Sequence, residues 1–148
     1  MPLPPLTAKG VVIGAEAKDW RAAVRVAGEA LAETGSATPR YAEEMIRMIE
    51  EHGPYVVIAP GLALAHARPG PEVLKDGLAV VTLRTPVPFG HPHNDPVTVV
   101  LGLAAVRADT HLPSIAAIAN IFNDPGAIAA LVGASSVEQV LDIMGVDG

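Results

Sequence analysis

The hydrophobic positions of this chain follow a helical spacing near both ends and a strand-like pattern in the middle. Over residues 20–34, and again over residues 38–54, apolar side chains recur every three or four positions, as on one buried face of a helix. Asp19 precedes the first stretch and Thr38 opens the second, and we expect these two residues to cap the helices. The apolar faces consist of Ala23, Val24, Ala27, Ala30 and Leu31 in the first helix and of Tyr41, Met45, Met48 and Ile49 in the second.

Short apolar runs bounded by Gly, Pro and Asp begin at Tyr55 and predict the strands of one sheet. Nearly every position in these runs is apolar, so both faces of the sheet should be covered by helices. The predicted strands cover residues 55–59, 62–65, 77–83 and 97–105, and residues 10–13 form a candidate edge strand.

The C-terminal third returns to helical spacing. One amphipathic helix is expected after Asp109, a shorter one opens at Asp124-Pro125, and a third begins near Ser136, where Gln139 completes a capping-box pattern. Helices on both sides of a central block of strands predict an α/β chain of mixed α+β topology. We expect a single domain over residues 1–148, with its core at about 19–145, built as a three-layer helix/sheet/helix sandwich with a mixed central sheet.

Composition narrows the class of protein. A chain of 148 residues, half of them hydrophobic, is long enough to bury the core of one domain. With 10 basic and 16 acidic residues and a net charge of −6, it is a poor partner for nucleic acid or anionic membrane. Its apolar runs are too short to span a bilayer, and it carries no secretory signal and no cysteine, so we expect a cytoplasmic protein without thiolate chemistry.

His66 is the main candidate for chemistry, because it follows two apolar segments hinged at Pro60-Gly61. An imidazole that follows two such segments is placed to act as a nucleophile, although a packed histidine at a strand end, bonded to a backbone carbonyl, would give the same pattern. His91 and His93 precede Asp95 and suggest a metal site, but two ligands in a Gly/Pro loop are weak support, and an Asx turn accounts for the pattern. We therefore expect no metal.

The segment Ala59-Pro-Gly-Leu-Ala-Leu-Ala-His66-Ala-Arg68-Pro69 resembles the active-site signature of a known family. That family is enzyme IIA of the fructose, mannitol and ascorbate class in the bacterial sugar phosphotransferase system, and the ascorbate type is the most similar. Asn94-Asp95-Pro96-Val97 and His111-Leu112 match two further landmarks in the same order. The resemblance extends from about residue 20 to residue 144.

The resemblance implies a phosphocarrier. His66 would accept a phosphoryl group from phospho-HPr and pass it to the cysteine of a separate IIB component, while His111 and Arg68 stabilise the phosphoryl oxygens. The membrane component IIC would be engaged only indirectly, and no cofactor is implied. Two other functions stay open: a regulatory IIA-like protein read by other proteins, and a metal-dependent hydrolase using His66, His91, His93 and His111.

Three features set further expectations. Ala65 stands where the family usually has a proline before the active histidine, which leaves a freer backbone at this point. Arg47 lies near a site arginine of many members, although the pattern around it favours a surface charge. The family also implies a ring of small hydrophobic residues for docking, which here would be Leu62, Leu64, Ala65 and Ala67.

Overall fold

The computed structural model describes residues 3–146, apart from the side chain at position 110. Five strands and five α-helices follow a short 3₁₀ turn at Ala8–Gly10. The strands are β1 (Val11–Ala15), β2 (Val57–Ala59), β3 (Leu62–His66), β4 (Gly77–Val87) and β5 (Val97–Ala104). The helices are α1 (Trp20–Glu33), α2 (Tyr41–His52), α3 (Ala108–Ile121), α4 (Ala127–Val132) and α5 (Val137–Ile143).

The strands form one mixed sheet in the order β1-β4-β5-β3-β2. β4 runs antiparallel to β5, and β2 antiparallel to β3, whereas β1 is parallel to β4 and β3 is parallel to β5. The predicted mixed sheet is therefore confirmed, as is the edge strand near residues 10–13. The parallel register places His66, the last residue of β3, level with Leu103 of β5.

Both faces of the sheet are covered, which confirms the three-layer prediction. Alternate residues of β3 point to opposite faces: Ala63 and Ala65 pack in the cluster formed with α1 and α2, whereas Leu62 and Leu64 pack in the cluster formed with the C-terminal helices. Small residues suit the first face because α1 lies very close to it. A Cβ at Gly102 of β5 would stand only 3.2 Å from Leu31 Cδ1 and 3.3 Å from Ala27 Cβ.

The predicted helix caps are partly right. The Asp19 carboxylate accepts the backbone N–H of Ala22 at 2.9 Å, as expected. The prediction that Thr38 caps α2 is wrong, because the helix begins only at Tyr41 and the Thr38 hydroxyl donates to Glu72 instead.

The predicted capping box at α5 is only half formed. Ser136 accepts the backbone N–H of Gln139, as expected. The Gln139 side chain, however, accepts the N–H of Ser135 and not that of Ser136, so the box is not reciprocal.

Other boundaries shift where turns use the backbone first. β2 starts only at Val57, because the Tyr55 and Val57 N–H groups are held in turns by Gly53 and Pro54. α4 starts at Ala127 because Asp124 accepts the N–H of Gly126 in a turn. No helix within residues 3–146 is long and apolar enough to cross a bilayer.

Candidate active site

His66 is the last residue of β3, at the edge of the sheet where the parallel strands β3 and β5 both end. Gly61 makes the hairpin bend with φ +82°, a conformation that an L side chain rarely adopts. The preceding β3 residues are fully buried, whereas the His66 side chain is only partly so. A rigid, buried strand thus holds a partly exposed imidazole at its end.

One nitrogen of the His66 ring is committed to the backbone. Nδ1 lies 2.8 Å from the carbonyl oxygen of Leu64. Because a carbonyl can only accept, Nδ1 must carry the proton in this contact, and the neutral ring then has its lone pair on Nε2. The alternative of a packed histidine bonded to a backbone carbonyl predicts this Nδ1 bond correctly, but it assigns no role to the lone pair on Nε2.

The ring of His111 lies beside the ring of His66. Its residue lies in the first turn of α3, and the two ring centroids are 5.3 Å apart. Nδ1 of His111 is buried, and it finds no hydrogen-bond partner among the described residues. A buried imidazole nitrogen without a partner carries a free-energy cost, and this one belongs to the ring that lies beside His66.

Burial lowers the pKa of both rings below the ordinary value of 6.5. For His66, desolvation is the largest cause; the hydrogen bond to Leu64 opposes it, and the proximity of His111 lowers the pKa further. Both imidazoles are therefore neutral near pH 7, the state in which Nε2 of His66 can attack an electrophile.

The two histidines share a cavity of about 270 Å³ at the protein surface. The Tyr55 ring packs nearly perpendicular to the His66 ring, with centroids 5.5 Å apart, and to the His52 ring, at 6.2 Å. Arg68 lines the same cavity, so the structure brings all three predicted site residues together. The lining residues are Met48, His52, Tyr55, His66, Arg68 and His111.

Sequence reasoning missed three of these lining residues. Met48 was assigned to the apolar stripe of the second helix, and Tyr55 to the start of a strand. His52, for which no role was predicted, is the last residue of α2, and its ring lies 6.2 Å from that of Tyr55 at the cavity. Because Met48 and His52 lie on the last turns of α2, the signal for them was the position of that helix end beside β2, which residue spacing alone does not give.

Arg47 lies outside the cavity. Its exposed side chain pairs with Glu44 one turn earlier on α2. It lines a neighbouring cavity of about 290 Å³, which also touches Arg68 and Tyr41. The structure thus places Arg47 as a surface charge, separated from the two histidines.

His91 and His93 lie in the loop before β5, apart from the histidine pair. Asp95 accepts backbone N–H groups of this loop, and Nδ1 of His91 accepts the N–H groups of His93 and Asn94 at 3.1 and 3.0 Å. Within residues 3–146, no three His, Asp or Glu side chains come together as ligands for one metal ion. The Asx-turn interpretation of this loop agrees with these bonds.

The expected docking ring is wrong in its residues. Leu62, Leu64 and Ala65 are fully buried and Ala67 is 5% exposed, because β3 lies inside the sheet with both faces covered. Among the exposed apolar side chains of the described residues, Tyr55, at 39% exposed, lines the cavity, and Leu112, at 71%, follows His111 in sequence.

Comparison with known proteins decides the family. Residues 5–145 match the sequence profile described as "Phosphoenolpyruvate-dependent sugar phosphotransferase system, EIIA 2". The chain belongs to this enzyme IIA family. The resemblance found in the sequence is thereby confirmed, and this enzyme IIA chain is a component of phosphotransfer.

Relatives of this enzyme IIA chain agree with that assignment. It is 39% identical over 137 residues to the ascorbate-specific PTS system EIIA component of Escherichia coli K12, covering 92% of this chain and 89% of the relative. The Salmonella typhimurium LT2 component of the same name is 40% identical over 131 residues, covering 88% and 85%.

Solved structures show the same fold. Enzyme IIAMTL of Escherichia coli, determined in complex with phosphorylated enzyme IIBMTL, superimposes with a TM-score of 0.84 at 27% identity, covering 95% of this chain and 97% of the other. The α/β architecture of the chain is thus that of the IIA domains.

Proposed function

We propose that this chain is the phosphocarrier of a sugar phosphotransferase system and that Nε2 of His66 carries the phosphoryl group. The observation that supports the proposal most strongly is the division of work on the ring: Nδ1 is held by Leu64 at 2.8 Å, while the ring lines an open cavity. This arrangement orients the Nε2 lone pair without consuming it.

The step conserves a high-energy N–P bond. A phosphohistidine of the donor, phospho-HPr, presents phosphorus to Nε2 of His66; an N–P bond forms there as the donor's N–P bond breaks, and the electron pair returns to the donor imidazole. The proton on Nδ1 of His66 stays in its bond to Leu64. Since His66 is neutral near pH 7, no proton has to leave the nitrogen that attacks.

His111 and Arg68 are the groups we assign to the phosphoryl oxygens. In a loose transition state the charge is spread over three equatorial oxygens, so catalysis depends on alignment and on positive or N–H donors around them. Arg68, which lines the cavity, supplies a guanidinium. His111 supplies an imidazole within 5.3 Å of the His66 ring, on the first turn of α3, where the helix dipole also favours an anion.

The acceptor in this proposal is the cysteine thiolate of a separate IIB protein of the ascorbate type. The chain itself has no cysteine, so the next carrier must be another polypeptide or domain. The support is the name of the 39% identical relative and the IIA–IIB complex among the structural neighbours. Tyr55 and Leu112 would supply exposed apolar contacts beside the transferred group.

The test is transfer of ³²P from phosphorylated HPr to the purified chain. We expect label that is labile in acid and stable in alkali, located at position 66, and lost in His66→Gln. His93→Gln is the matched control, because His93 is an exposed histidine outside the cavity, and it should label like the wild type. Full labelling of His66→Gln would refute the proposal.

The second half of the test adds IIB proteins to the labelled chain. We expect discharge to an ascorbate-type IIB at least tenfold faster than to a mannitol-type IIB, and none to a variant that lacks the IIB cysteine. Stable label that no IIB removes would favour the regulatory alternative instead.

A further inference from the structure

The hydroxyl of Tyr41 occupies an unusual position at the end of β3. Tyr41 is 1% exposed and is the first residue of α2. Its oxygen accepts the backbone N–H of Ala67 at 3.0 Å and donates to the carbonyl of Leu103 at 2.7 Å. The carbonyl of Ala67, at 3.3 Å, is a more distant acceptor for the same proton.

This hydroxyl therefore links three elements next to the reactive ring. Ala67 immediately follows His66, and Leu103 is the register partner of His66 on β5. A single O–H group thus joins the end of one parallel strand to its neighbour and ties both to α2. Burial raises the pKa of Tyr41 to about 12, so the phenol keeps its proton at any physiological pH.

We propose that Tyr41 is a positioning residue for His66: its hydroxyl fixes the chain on the C-terminal side of the imidazole and thereby the direction of Nε2. The part of this proposal that concerns rate rests on the proposed phosphocarrier function. The Leu64 bond restrains the ring itself, while the Tyr41 bond restrains the backbone from which the ring projects. Neither restraint alone fixes both.

The structure also shows why the bond is needed. Ala67 is 5% exposed and Leu103 fully buried, so without the hydroxyl a buried N–H and a buried C=O would lose their partner. Groups left in this state tend to move until they find water or another partner. Such movement would displace His66, and shifts of about 1 Å in a reacting group lower rates by up to roughly 100-fold.

The test compares Tyr41→Phe with Thr82→Val. Thr82 is a matched control because its buried hydroxyl also accepts a backbone N–H, that of Gly14 at 2.9 Å. Its register partner is Val99, which pairs with Leu62 at the start of β3, so it lies at the opposite end of the sheet from His66. Both variants remove one buried hydroxyl, but only Tyr41→Phe touches the site.

Two readouts need no phosphoryl donor. In Tyr41→Phe, amide hydrogen exchange at Ala67 should be about three- to tenfold faster. This factor corresponds to the net free energy that one hydrogen bond contributes to stability. The ¹⁵N shifts of the His66 ring should move from the Nδ1–H tautomer towards a mixture. Thr82→Val should change neither. Unchanged exchange and tautomer in Tyr41→Phe would overturn the proposal, whatever the function of the chain.

The third readout is transfer, measured at a temperature at which circular dichroism shows every variant folded. For Tyr41→Phe we expect kcat from phospho-HPr to fall roughly tenfold with KM unchanged, because alignment is lost while the docking surface remains. An equal fall in Thr82→Val, or none in Tyr41→Phe, would refute positioning. If the wild type takes no label, the proposed function fails, and the donor-free readouts still decide the role of Tyr41.

If Tyr41→Phe does not fold, the wild type itself supplies the test. Its Tyr41 hydroxyl proton must then appear in the NMR spectrum as a slowly exchanging resonance close to the Ala67 amide. The absence of this resonance would overturn the proposal.

Discussion

Gly28→Ala should force apart the two helices that support the site. Gly28 lies on the buried face of α1, directly against Ala42 of α2. A Cβ built on Gly28 would stand 2.5 Å from the Ala42 Cβ and 2.9 Å from its Cα. Carbon atoms in good contact are about 3.5–4.0 Å apart, so the helices must separate by roughly 1 Å to admit one methyl group.

The magnitude follows from two opposed terms. Replacing a helical glycine by alanine gains about 0.5–1 kcal/mol of backbone entropy, whereas overpacking a well-filled core costs about 1–3 kcal/mol. We expect a net loss of about 1–2 kcal/mol in the free energy of unfolding, and a fall in Tm of roughly 2–8 °C for a chain of this size. Because Ala42 follows Tyr41 in sequence, the same movement should pull the Tyr41 hydroxyl away from Ala67.

The assay is urea unfolding of a double-mutant cycle. Ala42→Gly alone should destabilise the chain, because it places glycine in a helix and removes a buried methyl group. In Gly28→Ala/Ala42→Gly the methyl group is moved from one helix to the other, so the clash disappears. The double variant should therefore be about 1–3 kcal/mol more stable than the sum of the single effects predicts. Strict additivity, or a Gly28→Ala variant more stable than the wild type, would refute the reasoning.

Two further predictions concern charge. The Asp95 carboxylate accepts the backbone N–H groups of Phe89, Gly90 and His91. Asp95→Ala removes this charged acceptor and should lower the free energy of unfolding by about 2 kcal/mol in urea titrations. An unchanged unfolding midpoint would contradict this prediction. The pKa values of His66 and His111 lie below 6.5 in the folded chain, so the unfolded chain binds more protons as the pH falls through 6.5. Stability should therefore decline below about pH 6.5 and level off once both folded rings are protonated, and His66→Gln/His111→Gln should flatten this decline. If stability falls equally steeply with pH in the wild type and in the double variant, the lowered pKa values are not those of His66 and His111.

Local signals explain which parts of the fold the sequence predicts well. The α1 stripe and the Asp19 cap depend on side chains within one or two turns, and the strands after Tyr55 depend on short apolar runs between Gly and Pro. Thr38 does not cap α2, because its hydroxyl donates a hydrogen bond to Glu72, 34 positions away in the sequence. No local pattern contains that competition, since only the folded chain brings the two residues together.

The site divides in the same way. His66 and Arg68 lie in one motif, and the family resemblance added His111, which the fold brings within ring contact of His66. Met48, His52 and Tyr55 carry no motif, and they reach the cavity only because α2 ends beside the β2–β3 hairpin. The docking residues were misplaced because neighbours in sequence along a strand alternate between two buried faces, so closeness in sequence to His66 gave no exposure.

Ala65 connects these observations. Proline would restrict φ to about −65° just before the reactive histidine, whereas with alanine that angle is set by the pairing of β3 with β5. Here the position of His66 depends instead on three contacts that a sequence motif does not show: pairing with β5, the Leu64 carbonyl and the Tyr41 hydroxyl. If these contacts replace the proline, Ala65→Pro should restore most of the transfer rate lost in Tyr41→Phe while adding little to the wild type. An equal effect of Ala65→Pro in both backgrounds would show instead that the backbone before His66 and the bond after it act independently.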